Sequence, residues 1–273
     1  MLRSALLALS LCLLPLAAHA KPTAEQLVLF FGKDDRVKTD PDSGLWQAVG
    51  QLETKSHLVC TATLVAEDVV VTAGHCFINR HGRFDPAITF TVGLAGKEYS
   101  EQSAIREVQV DKAFLAGLEH RPDGTYIPKK IAGRDFAFVR LSQPLGRSRG
   151  VIPVFAGNSQ ALKQQLLGIN NTVTNGGYPL DDLTHLLVHN NCKATGLLAD
   201  GRLTHRCDTL EGNSGSPILA SINGRMTLIG IQSSAPIASR RRKEDNMALS
   251  SPVFYQQLQQ FIQQGQDRTQ AKK

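Results

Sequence analysis

Between Trp46 and Phe155 the apolar residues fall in short runs rich in β-branched side chains, and Gly, Pro and Asp separate one run from the next. That pattern predicts strands rather than helices. The runs are Trp46-Gln47-Ala48-Val49-Gly50-Gln51-Leu52, Leu58 to Val65, Val69-Val70-Val71-Thr72, Phe90-Thr91-Val92-Gly93-Leu94, Ile105 to Val110, and Phe136-Ala137-Phe138-Val139-Arg140-Leu141. Pro144 and the stretch from Gly146 to Gly150 read as a linker. A second series follows. Thr172-Val173-Thr174 leads into Asn175-Gly176-Gly177, which reads as a turn, and Leu183 to His189, Ile218-Leu219-Ala220 and Met226 to Ile231 read as further strands. Asn223-Gly224 is the signal of a tight hairpin turn. Only near the end does the period lengthen. Phe254, Leu258, Phe261 and Ile262 share one face of a helix predicted from about Val253 to Gln264, before a polar, frayed tail from Gly265 to Lys273.

Two series of strands and one terminal helix predict an all-β fold: two packed, antiparallel, six-stranded β-barrels with a C-terminal helix. A group from each half can then meet in the cleft between them. The expected division is a signal peptide over residues 1–20, a short propeptide or N-terminal arm over 21–30, a first barrel over 31–148, a second over 149–251, and the helix and tail over 252–273. The signal reading rests on Arg3, the apolar run from Ala5 to Ala18, and the small-x-small site Ala18-His19-Ala20. That run is too short to favour a membrane span. Cleavage near Ala20 would place the product outside the cytoplasm, secreted or periplasmic.

Charge and cysteine content narrow the partners. Loss of residues 1–20 takes away Arg3 and lowers the formal net charge from +6 to +5. The run Arg240-Arg241-Arg242-Lys243 is followed at once by Glu244 and Asp245, with no aromatic stacking ladder, so it reads as a solvated loop rather than a nucleic-acid site. Of five cysteines, Cys12 lies in the signal segment, and Cys60, Cys76, Cys192 and Cys207 remain. Four cysteines allow three pairings. The local one, Cys60 with Cys76 and Cys192 with Cys207, is favoured because each pair brackets one hairpin-sized segment. Disulfides imply an oxidising compartment. Spacings of 16 and 15 with no C-x-x-C pair argue against zinc, and no metal or organic cofactor is called for.

Three short strings carry chemistry: Thr72-Ala73-Gly74-His75-Cys76, Arg134-Asp135-Phe136-Ala137 and Gly212-Asn213-Ser214-Gly215-Ser216-Pro217. They offer a base, an acid to orient it and a hydroxyl nucleophile, separated by 60 and 79 residues. Glycines around Ser214 let the backbone turn sharply, so that the amides of Gly212 and Ser214 can point together at an oxyanion. His75 ends an apolar strand, where a neutral imidazole can take the Ser214 proton. Asp135 leads directly into an apolar strand, either as its end cap or as a buried partner for a histidine. His57, His81, His120, His185, His189 and His205 have no comparable setting and read as structural or exposed.

The three strings, in this order, resemble those of the chymotrypsin/trypsin-like serine peptidases. The bacterial secreted branch that includes the glutamyl endopeptidases is the nearer likeness, on Gly212-Asn213-Ser214-Gly215-Ser216-Pro217, Phe31-Gly32-Lys33-Asp34-Asp35-Arg36-Val37 and Gly230-Ile231-Gln232-Ser233. The resemblance implies a Ser214–His75–Asp135 triad, an oxyanion hole at Gly212 and Ser214, and cleavage of a protein or peptide substrate through an acyl-enzyme. It puts Asp208 at the floor of the S1 pocket, selecting Arg or Lys, with Thr209, Gln232 and Ser233 around it. Glutamate-specific relatives have a histidine where this chain has Gln232, a departure that argues against a glutamate preference. Ser233 would hydrogen-bond Asp135. Asn213 stands where trypsin-type zymogens use an aspartate, and no I-V-G-G-type start is present, so activation through a new N-terminus is not expected. A non-catalytic binding protein on the same fold would be marked by a lost triad residue, and none is lost. An esterase would want G-x-S-x-G, with Asp and His after the serine.

Overall fold

The computed structural model describes Thr23, residues 27–121 and residues 124–270. The expected signal peptide and part of the expected 21–30 arm lie outside the described residues. Two closed antiparallel barrels of six strands each and a C-terminal helix make up the fold. The first barrel runs Val49–Thr54, Val59–Ala66, Val69–Thr72, Ala137–Leu141, Glu101–Val110 and Ala87–Val92, and back to the start. The second runs Thr172–Gly177, Pro217–Ile222, Arg225–Ser234, Asn246–Ser250, Arg202–His205 and Leu187–Leu197, which returns to the first. Closure leaves neither barrel with an open edge along these strands. The short strand Val37–Lys38 adds to the second barrel beside Leu187 and Val188.

Several local expectations shift. Residues Gly44–Ala48 form a 3₁₀ turn, and the strand starts at Val49. Asn175-Gly176-Gly177 is not a turn but the end of the strand Thr172–Gly177. Its glycines serve close approach: a Cβ at Gly176 would press on the Trp46 ring, and one at Gly177 would meet Thr61 Oγ1, Asn213 Nδ2 and Ser216 Cβ at under 3 Å. Leu183 to His185 fold as a turn, and the strand is Leu187–Leu197. The linker expected at 146–150 contains a helical turn, Gly146–Arg149. The helix Ser159–Gly168 went unread because only Leu162 and Leu166 are buried on an otherwise polar segment; Asn158 caps it by accepting the Ala161 N–H at 2.9 Å. Asn223 and Gly224 do form the hairpin turn, both at positive φ.

The terminal helix spans Ser251–Gln270, longer than the run to Gln264 expected from its apolar stripe. Phe254 and Phe261 dock on the first barrel, where Phe138 lies 6.3 and 5.8 Å from their ring centroids. Arg140, 3% exposed, stacks over Phe261, donates to the Phe261 carbonyl and pairs with Asp68 at 3.0 Å. Arg268 then reaches Glu107 at 3.1 Å, so polar contacts carry the helix past the last apolar residue. The helix follows the second barrel in sequence yet packs on the first, and it straps the two together. Phe261→Ala is expected to cost about 3–5 kcal/mol, through the emptied space and the loss of the surface that Arg140 covers, read as a lowered midpoint in urea unfolding.

Candidate active site

Antiparallel pairing brings two of the three strings together. Thr72 lies opposite Ala137, so the residues just after one strand run beside those just before the other. Gly74 permits the approach, because a Cβ there would sit 3.1 Å from the Phe136 carbonyl and 3.3 Å from Asp135 Oδ1. Asp135, fully buried, accepts the His75 backbone N–H at 2.7 Å on one oxygen and the His75 Nδ1–H at 2.8 Å on the other. The Cys60–Cys76 disulfide ties the residue after His75 to the strand Val59–Ala66.

Ser214 comes from the second barrel. Its Oγ is 2.8 Å from His75 Nε2. Its loop is pinned to the first barrel by Thr61, whose N–H donates to Ser214 O at 2.9 Å and whose Oγ1 donates to Gly212 O at 2.9 Å. The same Oγ1 accepts the Tyr178 N–H at 3.0 Å. Gly215, at φ +81°, lies on the joint: a Cβ would collide with the Thr72 hydroxyl and the Thr61 carbonyl. Ser233 of the second barrel donates to Asp135 Oδ2 at 2.6 Å, as its motif led one to expect.

The orientation of the Gly212 and Ser214 amides follows from hydrogen bonds around the loop. Neither the Gly212 nor the Ser214 amide donates to an acceptor among the described residues. Leu180 N–H holds the Glu211 carbonyl at 2.6 Å. In a trans peptide the C=O and the following N–H point opposite ways, so the Gly212 N–H is turned away from Leu180. Asn213 is buried, and its Oδ1 accepts the Leu210 N–H at 3.1 Å. A neutral amide thus steadies the loop without a charged partner.

Charge in the cluster is set by the pair. Burial of the His75 ring opposes its charging, but Asp135, by Coulomb attraction and hydrogen bond, more than offsets this and raises its pKa above the ordinary 6.5. Burial likewise opposes ionisation of Asp135, yet His75 and the Ser233 hydroxyl hold its carboxyl below the usual range. The two contributions to stability have opposite windows. That of His75 is complete below the ordinary histidine pKa and is lost as pH rises through the raised value. That of Asp135 is complete above the ordinary carboxyl pKa and is lost as pH falls through the lowered one.

Ser214 lies between two cavities. One, of about 610 Å³, is lined by Thr209, Gln232, Ser233 and the strand end as far as Ala238, with Thr23 and Leu29 of the N-terminal segment. The other, of about 650 Å³, is lined by His57, His75, Leu180, Gly212 and neighbours. Asp208, expected at the pocket floor, lines neither. Its two carboxylate oxygens accept the backbone N–H groups of Phe31 and Asp35 at 2.9 and 3.0 Å, and it is 1% exposed. The physical reason is the N-terminal segment, which lies over the carboxylate and engages both of its oxygens. Arg36, paired with Asp34 and Asp181 at 2.8 and 2.6 Å, fastens that segment.

Asp35, His189 and Asp208 form a cluster of metal-ligand type, but His189 Nδ1 already accepts the Asp208 N–H at 2.9 Å and both Asp208 oxygens are engaged. His57, His81, His120 and His185 are exposed or half-buried, as expected. His205 is the structural case of that reading: it is fully buried behind Gln232, 2.6 Å from its amide oxygen. Thr61 and His205 carried no sequence signal, since the partners that matter at the site, Gly212 for the Thr61 hydroxyl and Gln232 for the His205 ring, stand 151 and 27 residues away. The second disulfide joins Cys192 to Cys207, beside Asp208, so the local pairing is the one formed.

Comparison with known proteins gives a consistent picture. The family model described as Trypsin matches residues 35–263. Vitamin K-dependent protein C of Rattus norvegicus is 27% identical over 212 residues, covering 69% of this chain and 42% of its own. Glutamyl endopeptidase of Bacillus licheniformis is 25% identical over 201 residues, covering 73% of this chain and 57% of its own. The chain therefore spans less than two thirds of the curated relatives it matches. A solved structure of Glu endopeptidase in complex with MPD superposes with a TM-score of 0.62 at 17% identity, over 82% of this chain and 95% of the other, a likeness of fold.

Two outcomes are expected from this geometry. In Asp135→Asn the His75 pKa falls, followed by NMR of the imidazole resonances; an unchanged titration would remove Asp135 as its cause. Thr61→Val keeps the side-chain shape but frees the Gly212 carbonyl, and should lower kcat roughly tenfold or more in a peptide hydrolysis assay.

Proposed function

The chain belongs to the trypsin family, and on that premise we propose that it is a serine endopeptidase acting through Ser214, His75 and Asp135. The observation that carries this reading is the unbroken line of hydrogen bonds from Asp135 through His75 to Ser214, at 2.8 Å on each side of the imidazole. Because Asp135 accepts the Nδ1 proton, Nε2 is left with a lone pair that faces the serine hydroxyl. Ser214 Oγ attacks the scissile carbonyl and passes its proton to His75 Nε2. The amides of Gly212 and Ser214 hold the resulting oxyanion. His75 then protonates the leaving amine, and water, activated by the same imidazole, releases the acyl group from Ser214. Cavities on both sides of Ser214 favour a chain that runs through the cleft, hence internal cleavage.

The two disulfides are those of a protein folded in an oxidising compartment. With cleavage near Ala20, the mature protein is secreted or periplasmic. The name of the Bacillus licheniformis relative points to acidic P1 residues, Gln232 in place of the histidine of glutamate-specific relatives weakens that pointer, and the placement of Asp208 removes the basis for a basic P1. Incubation with a mixed peptide library, with cut sites read by mass spectrometry, should give cuts with the unmutated chain. Ser214→Ala should reduce the rate by about 10⁴- to 10⁶-fold while keeping the fold. Full activity in that variant would refute the mechanism.

A further inference from the structure

The cationic run at 240–243, expected as a solvated loop, divides in the fold. Arg240, Arg242 and Lys243 are exposed, but Arg241 turns inward and is 6% exposed. A tight bend makes this possible. The 3₁₀ turn Ala238–Arg240 leads into Arg241, and the Lys243 and Glu244 N–H groups close back on the Arg240 carbonyl at 2.8 and 3.1 Å. Arg241 Nη2 donates to Asn246 Oδ1 at 2.6 Å, and its Cζ lies 4.4 Å from the centroid of the Phe31 ring. Nε and Nη1 are buried and have no hydrogen-bond acceptor among the described residues. A guanidinium taken out of water with most of its donors unused is costly. Burial accordingly pulls the Arg241 pKa below its ordinary value, against the attraction of Asp208 and Asp245.

Arg241 lines a cavity of about 1020 Å³ together with Lys129, Arg206, Arg240, Arg242 and Lys243. The carboxylates in the same wall, Glu244 and Asp245, are already engaged. Asp245 pairs with Arg206 at 3.0 Å and accepts the Thr195 hydroxyl at 2.7 Å, and Glu244 meets Arg240 at 3.8 Å. Lys129, Arg241, Arg242 and Lys243 have no carboxylate within ion-pair reach among the described residues. Six cations against two carboxylates give the wall a net charge of +4, out of a formal +6 for the whole chain. Gathering like charges in this way destabilises the compact state unless an anion offsets them.

The chemistry of the wall narrows the anion. Its cations come from separate places in the chain: the start of the helical turn Lys129–Ala132, Arg206, and the loop before the strand Asn246–Ser250. A carboxylate has one charge to share among them. A phosphate or sulfate group presents more acceptor oxygens and can bridge cations from different segments. The volume suits a ligand larger than a single ion. Nucleic acid fits poorly. Phe31 already carries Arg241 and, at 6.0 Å, Arg206, and Phe30 is buried, so bases find no stacking platform.

We propose that this cavity binds a polyanion carrying two or more phosphate or sulfate groups, with Arg241 as its inner anchor and Arg242, Lys243 and Lys129 as its outer ones. The half-buried Phe31 ring is the cover that turns aside to admit it. The cavity shares no lining residue with either cavity at Ser214, so the inference stands independently of the peptidase reading.

The test is isothermal titration calorimetry of the purified full chain with inorganic tripolyphosphate, dextran sulfate, monophosphate and hexaglutamate at matched ionic strength. Tripolyphosphate or dextran sulfate should bind about tenfold or more tighter than monophosphate and hexaglutamate. Tighter binding of tripolyphosphate marks a small oligophosphate as the natural source, and tighter binding of dextran sulfate marks a sulfated polymer. Arg241→Gln keeps a donor for Asn246 and removes the charge, and should weaken binding about tenfold. The exposed pair Arg242→Ala with Lys243→Ala should do the same. Lys97→Ala with Lys163→Ala removes two exposed cations elsewhere and should change affinity less than about twofold. The urea midpoint of each variant checks its fold; if Arg241→Gln unfolds, the exposed pair decides alone. The proposal is overturned if neither polyanion binds, or if monophosphate or hexaglutamate binds as tightly. An unchanged affinity in folded Arg241→Gln, or an equal loss in the distant pair, overturns it as well.

Discussion

The contact on which the site depends is the joint between Thr61 of the first barrel and the Gly212–Gly215 loop of the second. Each barrel closes its own ring of strand hydrogen bonds. Neither ring fixes where the other sits, yet the proposed proton transfer from Ser214 to His75 needs their atoms within hydrogen-bond reach. Thr61 settles the distance by bonding to Ser214 O, Gly212 O and Tyr178 N–H at once. Gly215 makes that possible, since any side chain there would strike Thr61 and Thr72 and push the loop outward.

Asp135 is bound by the same constraint from within. A fully buried carboxylate is costly unless its lone pairs are filled. Two of its partners come from His75 on the first barrel and one from Ser233 on the second. The charge that orients His75 therefore gains its last donor only when the barrels are docked. The C-terminal helix, with Phe254 and Phe261 against Phe138 and Arg140 across Phe261, reinforces that docking from the far side.

The second barrel shows how one motif position can change its occupation. Asp208 stands six residues before Ser214, the place that the resemblance gives to a cation-reading floor. The N-terminal segment fills it instead, through the amides of Phe31 and Asp35, and Phe31 in turn covers Arg241. The cavity wall then falls to residues that include Thr209 and Gln232, which Asn246 and His205 hold by hydrogen bonds. An acid in the sequence has become part of the scaffold.

What the sequence by itself determined was local. Runs of β-branched residues marked the strands, the Asn223-Gly224 turn marked its hairpin, and the glycine-flanked serine, the histidine after an apolar strand and the aspartate before one marked the three groups that meet. Each of these is written in neighbouring residues. Where neighbours misled, a distant partner was the cause. Asn175-Gly176-Gly177 looked like a turn because the bare backbone that admits Trp46 and Thr61 is the same bare backbone that turns use. The helix Ser159–Gly168 was hidden because two leucines suffice to seat it on the barrel. Only the tertiary structure decided the rest: that Thr61 joins the barrels, that Asp208 is sealed by the N-terminal segment, and that a buried histidine holds the Gln232 amide. Those outcomes depend on lone pairs and protons matched between residues far apart in the chain, and no period or motif in one segment records which partner will be there.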